Sequence, residues 1–159
     1  MAKTTPDTIC LKGNPLLKEA ALEALDIYGV GAITPGMLIE RTSTGTVQPH
    51  SSAAGVVAPI LFAVEGLNLD ADSKTLGGID DDYDTDAQAV KYGAFQPGDE
   101  VYALLAAGND TNGKSALLAS NGDGTLRVSA TNPCARALED VDNDPGTASA
   151  AVRIRVEVL

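Results

Sequence analysis

Residues 108–115 read Gly108-Asn109-Asp110-Thr111-Asn112-Gly113-Lys114-Ser115. Letter for letter this is the G-x-x-x-x-G-K-S loop that cradles nucleotide phosphates. The chemistry needs more than the letters: backbone amides and the N-terminus of a following helix must hold the phosphates together. A strand before the loop fits the apolar run 101–107. A helix after it does not, because Asn121-Gly122-Asp123-Gly124 arrives within two helical turns of Lys114. No apolar strand ending in an aspartate that holds Mg²⁺ follows. The expectation is a hairpin loop that binds no nucleotide, with a P-loop protein the least favoured of the functional readings.

The acidic run Asp80-Asp81-Asp82-Tyr83-Asp84-Thr85-Asp86 suggests calcium, and its spacing argues against it. A calcium loop starting at Asp80 puts Thr85 at the turn glycine and Lys91 at the bidentate glutamate; starting at Asp82 gives Ala87 and Gly93. Asp140-Val141-Asp142-Asn143-Asp144 puts Pro145 at the glycine position. Both read as solvated loops. His50 is the only histidine, has no cysteine near it, and reads as a surface-loop residue rather than a ligand or a base. Cys10 and Cys134 form no disulfide framework, and reduced thiols are expected. The residues therefore nominate no catalytic group, no cofactor and no metal.

Composition narrows the classes further. The chain has 159 residues and 44% hydrophobic content, enough for one folded domain. Aromatic residues are 4% and Trp is absent, so few rings are available to stack on bases or sugars. A net charge of −11 disfavours gripping phosphate backbones or anionic membranes. The longest mostly apolar run, 53–64, contains Pro59 and is too short to span a bilayer. Residues 1–13 lack the apolar core of a signal peptide, so synthesis in the cytoplasm is expected.

These side chains need elements to position them. Pro97-Gly98-Asp99 turns the chain into an apolar run at 101–106; residues 109–113 reverse it into 115–119, and 121–124 reverse it again into 125–129. Ile33-Thr34-Pro35-Gly36 is a turn leading into a short strand at 37–41. The run 60–65 reads as a buried strand. Residues 152–158 alternate, with Val152, Ile154, Val156 and Val158 on one face and Arg153, Arg155 and Glu157 on a solvated one. Residues 16–28 have helix-forming composition behind Asn14-Pro15. Residues 1–14, with a small Ile9-Cys10-Leu11 island, read as an N-terminal arm, and 15–159 as one domain. Many short strands with frequent turns make the fold all-β, a small β-barrel or β-sandwich of short antiparallel strands with one possible short helix.

Taken in order, several segments resemble the head decoration, or capsid cement, proteins of tailed bacteriophages. They are Ile33-Thr34-Pro35-Gly36-Met37-Leu38-Ile39-Glu40, Pro49-His50, Phe62-Ala63-Val64-Glu65 and Gly98-Asp99-Glu100-Val101. Leu118-Ala119-Ser120-Asn121-Gly122-Asp123-Gly124-Thr125-Leu126, Ala137-Leu138-Glu139-Asp140-Val141-Asp142 and Arg153-Ile154-Arg155-Val156-Glu157-Val158 complete the set. The resemblance spans residues 33–159. It implies a β-barrel virion protein, often a homotrimer, that binds the major capsid protein on the outer surface of the expanded capsid and stabilises the head. It implies no catalytic residue and no contact with nucleic acid or membrane. The arm then acquires a target, with Lys3, Thr4, Thr5, Pro6, Ile9 and Leu11 as expected capsid contacts. The family pattern has a strand before the Pro-Gly turn, which favours a strand at 17–22 over the helix. Residues 22–31 and 84–96 look inserted, as a helix or an elaborated loop. A β-sandwich module binding cell-surface glycans is the alternative from another class.

Overall fold

Eleven short strands and no helix organise the described residues of the computed structural model, which are 5–25, 31–66, 78–113, 115–143 and 150–159. They are β1 (Cys10–Lys12), β2 (Leu16–Ala21), β3 (Leu38–Arg41), β4 (Val47–Pro49), β5 (Leu61–Ala63) and β6 (Ala89–Ala94), then β7 (Glu100–Leu105), β8 (Leu117–Ser120), β9 (Leu126–Val128), β10 (Ala135–Ala137) and β11 (Val152–Val158). The chain is all-β, as its turn-rich composition predicts.

The first sheet runs β1-β7-β11-β10-β8-β9. Its backbone is the β7–β11 ladder, antiparallel from Val152 opposite Leu105 to Glu157 opposite Glu100. β9 returns to β7 through one parallel contact, Leu105 opposite Leu126, and so closes five strands into a barrel. Closure removes the open edges that a flat sheet would expose. The alternation of β11 is realised: Ile154, Val156 and Val158 are fully buried among Val101, Ala103, Leu105, Leu118, Leu126, Ala135 and Ala137.

The second sheet runs β2-β6-β5-β3-β4 and curls until Leu22, just past β2, bridges Val47 in β4. Alternate residues of its central strands serve two cores. Leu38 and Phe62 join the barrel's cluster, where Phe62 meets Phe95 edge to face at 5.7 Å. Ile39, Leu61 and Ala63 point the other way, onto Leu22, Ile33, Val47, Tyr83, Val90 and Tyr92. A strand buried on both faces needs a continuous apolar run, which is why 60–65 carries one.

Four expectations are corrected. Residues 16–21 form β2, paired in register with β6 from Leu16 opposite Ala94 to Ala21 opposite Ala89. Helix propensity is a few tenths of a kcal/mol per residue, and a six-residue ladder overrides it. The strand expected at 17–22 is thus right to within a residue at each end; residues 26–28 of the helix reading lie outside the described residues. Residues 84–96 hold β6, the strand between β2 and β5, with Val90 and Tyr92 buried. The loop 108–115 is not a hairpin, because β7 and β8 do not pair; β9 lies between them around the barrel. The 121–125 turn does make one, joining β8 to β9. Finally, the piece around Ile9 is no free arm. β1 pairs with β7 at Cys10 opposite Val101, Tyr102 N donates to Ile9 O at 2.8 Å, and Ile9 is fully buried.

Candidate interaction surface

The phosphate-loop letters close on themselves. Thr111 is buried; its N donates to Val141 O at 3.1 Å, and its hydroxyl donates to Glu139 O at 3.1 Å and accepts from Val141 N at 2.8 Å. Asn112 N donates to the Asp110 carboxylate at 2.8 Å, Gly113 N to the Asp140 carboxylate at 2.9 Å, and Ser115 N to Ala137 O at 2.8 Å. These four amides of the loop already have acceptors, two of them carboxylates that repel a phosphate. Lys114 lies outside the described residues, and β8 rather than a helix follows.

The acidic run at 80–86 is pinned by its one apolar residue. Tyr83 exchanges backbone hydrogen bonds with Ile33 at 2.8 and 3.0 Å and donates its hydroxyl to Val64 O at 2.8 Å. Burial pushes this phenol up to about 12. Its aspartates are exposed on either side.

His50 is not a surface residue. It is 5% exposed, its Nδ1 lies 2.8 Å from Ser120 Oγ, and its Nε2 lies 3.8 Å from Glu40 Oε2. Ser120 is itself fully buried, so this Ser-His-Glu grouping offers a substrate no route to the hydroxyl. Its place explains it: Leu38 N donates to Gly124 O at 2.7 Å, Gly124 N to His50 O at 3.3 Å, and His50 N to Leu38 O at 3.0 Å. The ring bolts the second sheet to the barrel's β8–β9 turn.

Arg153 makes the second bolt. Its side chain is 11% exposed and donates to Pro35 O at 2.6 Å, to Ile79 O, and to Asp80 Oδ1 at 3.2 Å, with Tyr102 beneath it. The expected solvated arginine face is therefore corrected at this position. Gly36, at φ +95°, passes beneath; a β-carbon there would come within 2.8 Å of both Arg153 Nη1 and Tyr102 O. Only glycine takes that backbone conformation freely, and only glycine leaves the space.

The expected contact residues scatter. Lys3 and Thr4 lie outside the described residues. Thr5 is exposed, Pro6 and Leu11 are half-buried, and Ile9 is in the core. Ile9 N and the Thr8 hydroxyl both donate to the Glu65 carboxylate, the former at 3.0 Å. Asp7, Cys10, Pro15, Leu17, Glu65 and Lys91 help to line a groove of about 640 Å³ beside them. Burial, then the nearby Asp99 and Glu65 carboxylates, push the Cys10 thiol up. Neither cysteine is paired.

The groove borders a feature that the sequence reading passed over. In β2, residues Leu16 through Glu19 are exposed, and Leu16 at 62% and Leu17 at 51% stand on opposite faces of one strand. Only β6 pairs with that stretch; its other edge carries no strand among the described residues. The signal was present in Leu16-Leu17-Lys18-Glu19, where two adjacent leucines fit neither face of a half-buried strand, but helical composition concealed it.

No helix among the described residues is long and apolar enough to cross a membrane, and no group of three or more His, Cys, Asp or Glu among them is placed to hold a metal ion. The chain matches no known protein family and no curated protein.

Proposed function

We propose that this chain is a decoration protein of a tailed-bacteriophage head, one that binds the outer surface of the expanded capsid through the major capsid protein and cements it. The observation that carries the reading is where the resembling segments meet. Far apart in sequence, they are bonded to one another: Arg153 to Pro35, Gly36 N to Ala63 O at 2.8 Å, and Leu38, His50 and Gly124 in one circuit. Gly98 N donates to Val158 O at 2.9 Å at the far end of the barrel.

A barrel this small offers each shell subunit a limited contact. A homotrimer touching several subunits makes later contacts intramolecular, raising avidity by about 10²–10⁴ without strong single contacts. A site shared between subunits exists only at their mature spacing, so binding selects the expanded lattice. A charge of −11 suits a protein outside the shell that meets no DNA.

The test mixes the purified protein with expanded heads and with unexpanded procapsids, then measures co-sedimentation and the temperature of head rupture. Saturable binding to expanded heads with a raised rupture temperature is the expected result. Binding to neither particle overturns the proposal; binding without strengthening removes the cement role.

A further inference from the structure

Among the described residues the β2 edge is where backbone groups are left without a neighbouring strand, and the hydrogen-bond pattern tells which ones. Phe95 N donates to Ile60 O at 3.0 Å and Val64 N to Lys91 O at 3.0 Å, so Phe95, Gly93 and Lys91 bond towards β5. Backbone groups alternate sides along a strand, so Ala94, Tyr92 and Val90 bond towards β2. Their opposite numbers are Leu16, Lys18 and Ala20. Leu22 continues that series, donating to Gln88 O at 2.8 Å. Leu17 and Glu19 therefore turn their N–H and C=O groups to the outer edge, whereas Ala21, next in the series, adjoins the parallel bridge of Leu22 with Val47. Glu23, next in this second series, donates to Val47 O at 2.8 Å, which fixes the direction and marks where the edge closes.

We infer that this edge takes up an extended segment of a different protein as an added strand of the second sheet. Under the function proposed above that protein is the shell subunit, and the partner's identity rests on that reading. A second copy pairs poorly in the registers of greatest overlap. Two β2 strands meeting about a two-fold axis must place residues of the same sheet face opposite each other. Full overlap would set Lys18 against Glu19, which lie on opposite faces, so it is forbidden. Moving by one residue sets Lys18 against Lys18 or Glu19 against Glu19, and like charges directly opposite destabilise a pair. Head-to-tail pairing with β4 fails too: β4 has three residues, ends in Pro49, and has given Val47 O to Glu23.

The edge also states the chemistry of its occupant. Glu19 already faces Lys91 of β6, whereas Lys18 faces Tyr92. The segment that fits carries an acidic residue opposite Lys18 and apolar side chains that cover Leu16 on one face and Leu17 on the other. Main-chain bonds then supply affinity and those side chains specificity.

The experiment titrates wild type, Glu19→Pro, Glu19→Ala and Lys18→Glu against expanded heads by co-sedimentation, with Tm measured for each. Glu19→Pro removes an outward amide while sparing the β6 ladder, a position where edge strands tolerate proline. It is expected to bind about tenfold more weakly, the equivalent of one net hydrogen bond. Glu19→Ala, which keeps the amide, is expected to bind like wild type, and Lys18→Glu more weakly than wild type at unchanged Tm. If Glu19→Pro lowers Tm, Lys18→Glu decides, since its side chain is exposed. Wild-type binding that neither Glu19→Pro nor Lys18→Glu weakens overturns the edge and leaves the proposed function standing. No wild-type binding removes both.

Discussion

Arg153 and Ile154 are neighbours on one strand with opposite duties. Ile154 is fully buried in the barrel, and an aspartate there brings a charge with no partner into an apolar core. Ile154→Asp is expected to destabilise the protein by roughly 4 kcal/mol or more. Arg153 holds two carbonyls, of Pro35 and Ile79, that its loss would leave without that donor. Arg153→Ala is therefore expected to lower stability by about 1–3 kcal/mol, where a solvated arginine would leave it unchanged. Urea unfolding of the two variants checks both values. A change below about 0.5 kcal/mol in Arg153→Ala would show that the bracket between β11 and the Pro35 turn holds nothing.

At the scale of elements, β1 decides how much of the N-terminus is structural. It adds to the edge of β7 beyond the barrel's closure, and Ile9 fills the core beneath it. Removing residues 2–6 is expected to leave Tm in place, because Thr5 is exposed and Pro6 half-buried. Removing residues 2–11 takes away Ile9 and most of β1. The loss of one buried Ile alone amounts to about 2–5 kcal/mol. Thermal unfolding of the two deletions side by side tests this; equal Tm values would mean that β1 is dispensable and that the arm extends to Lys12.

For the whole molecule, stability should narrow at both ends of the pH scale. Burial pushes Cys134 up to about 11 from 9.0 and Tyr83 up to about 12 from 10.0. A group with a raised folded value favours the folded state while protonated, so its contribution is whole below its unfolded value and is lost as pH rises through the folded one. Stability is expected to hold to about pH 9 and then fall, with Cys134 giving up about 2 kcal/mol by pH 11 and Tyr83 about 1 kcal/mol. On the acid side, burial opposes ionisation of Glu40 and Asp123, but hydrogen bonds outweigh it and hold both below their ordinary values. Ser51, Gln48 and the nearby His50 act on Glu40, Thr125 and Asn121 on Asp123. Their contribution is present above the unfolded values and disappears as pH falls through the folded ones. Urea midpoints from pH 3 to pH 11 test the shape; a midpoint that stays level above pH 9 would contradict the burial of Cys134 and Tyr83.

What the residues determined alone is local. The 152–158 alternation, the 60–65 run, and the Pro-Gly and Asn-Gly turns each carry their signal within a few positions, because a strand's period and a turn's φ angles are properties of short segments. What only the tertiary structure decided is pairing. Residues 16–21 favour a helix by themselves and become a strand because β6 offers six partners. Residues 108–115 copy a phosphate loop, yet Asp140 and Val141, distant in sequence, take up its amides and hydroxyl. His50 and Arg153 look solvated in a one-dimensional pattern, yet His50 is buried against Ser120 of the barrel and Arg153 is half-buried against the Pro35 turn and the Ile79-Asp80 segment. The open β2 edge belongs to this class as well. An edge is defined by the absence of a neighbour, and no residue's own chemistry states which strands will lie beside it.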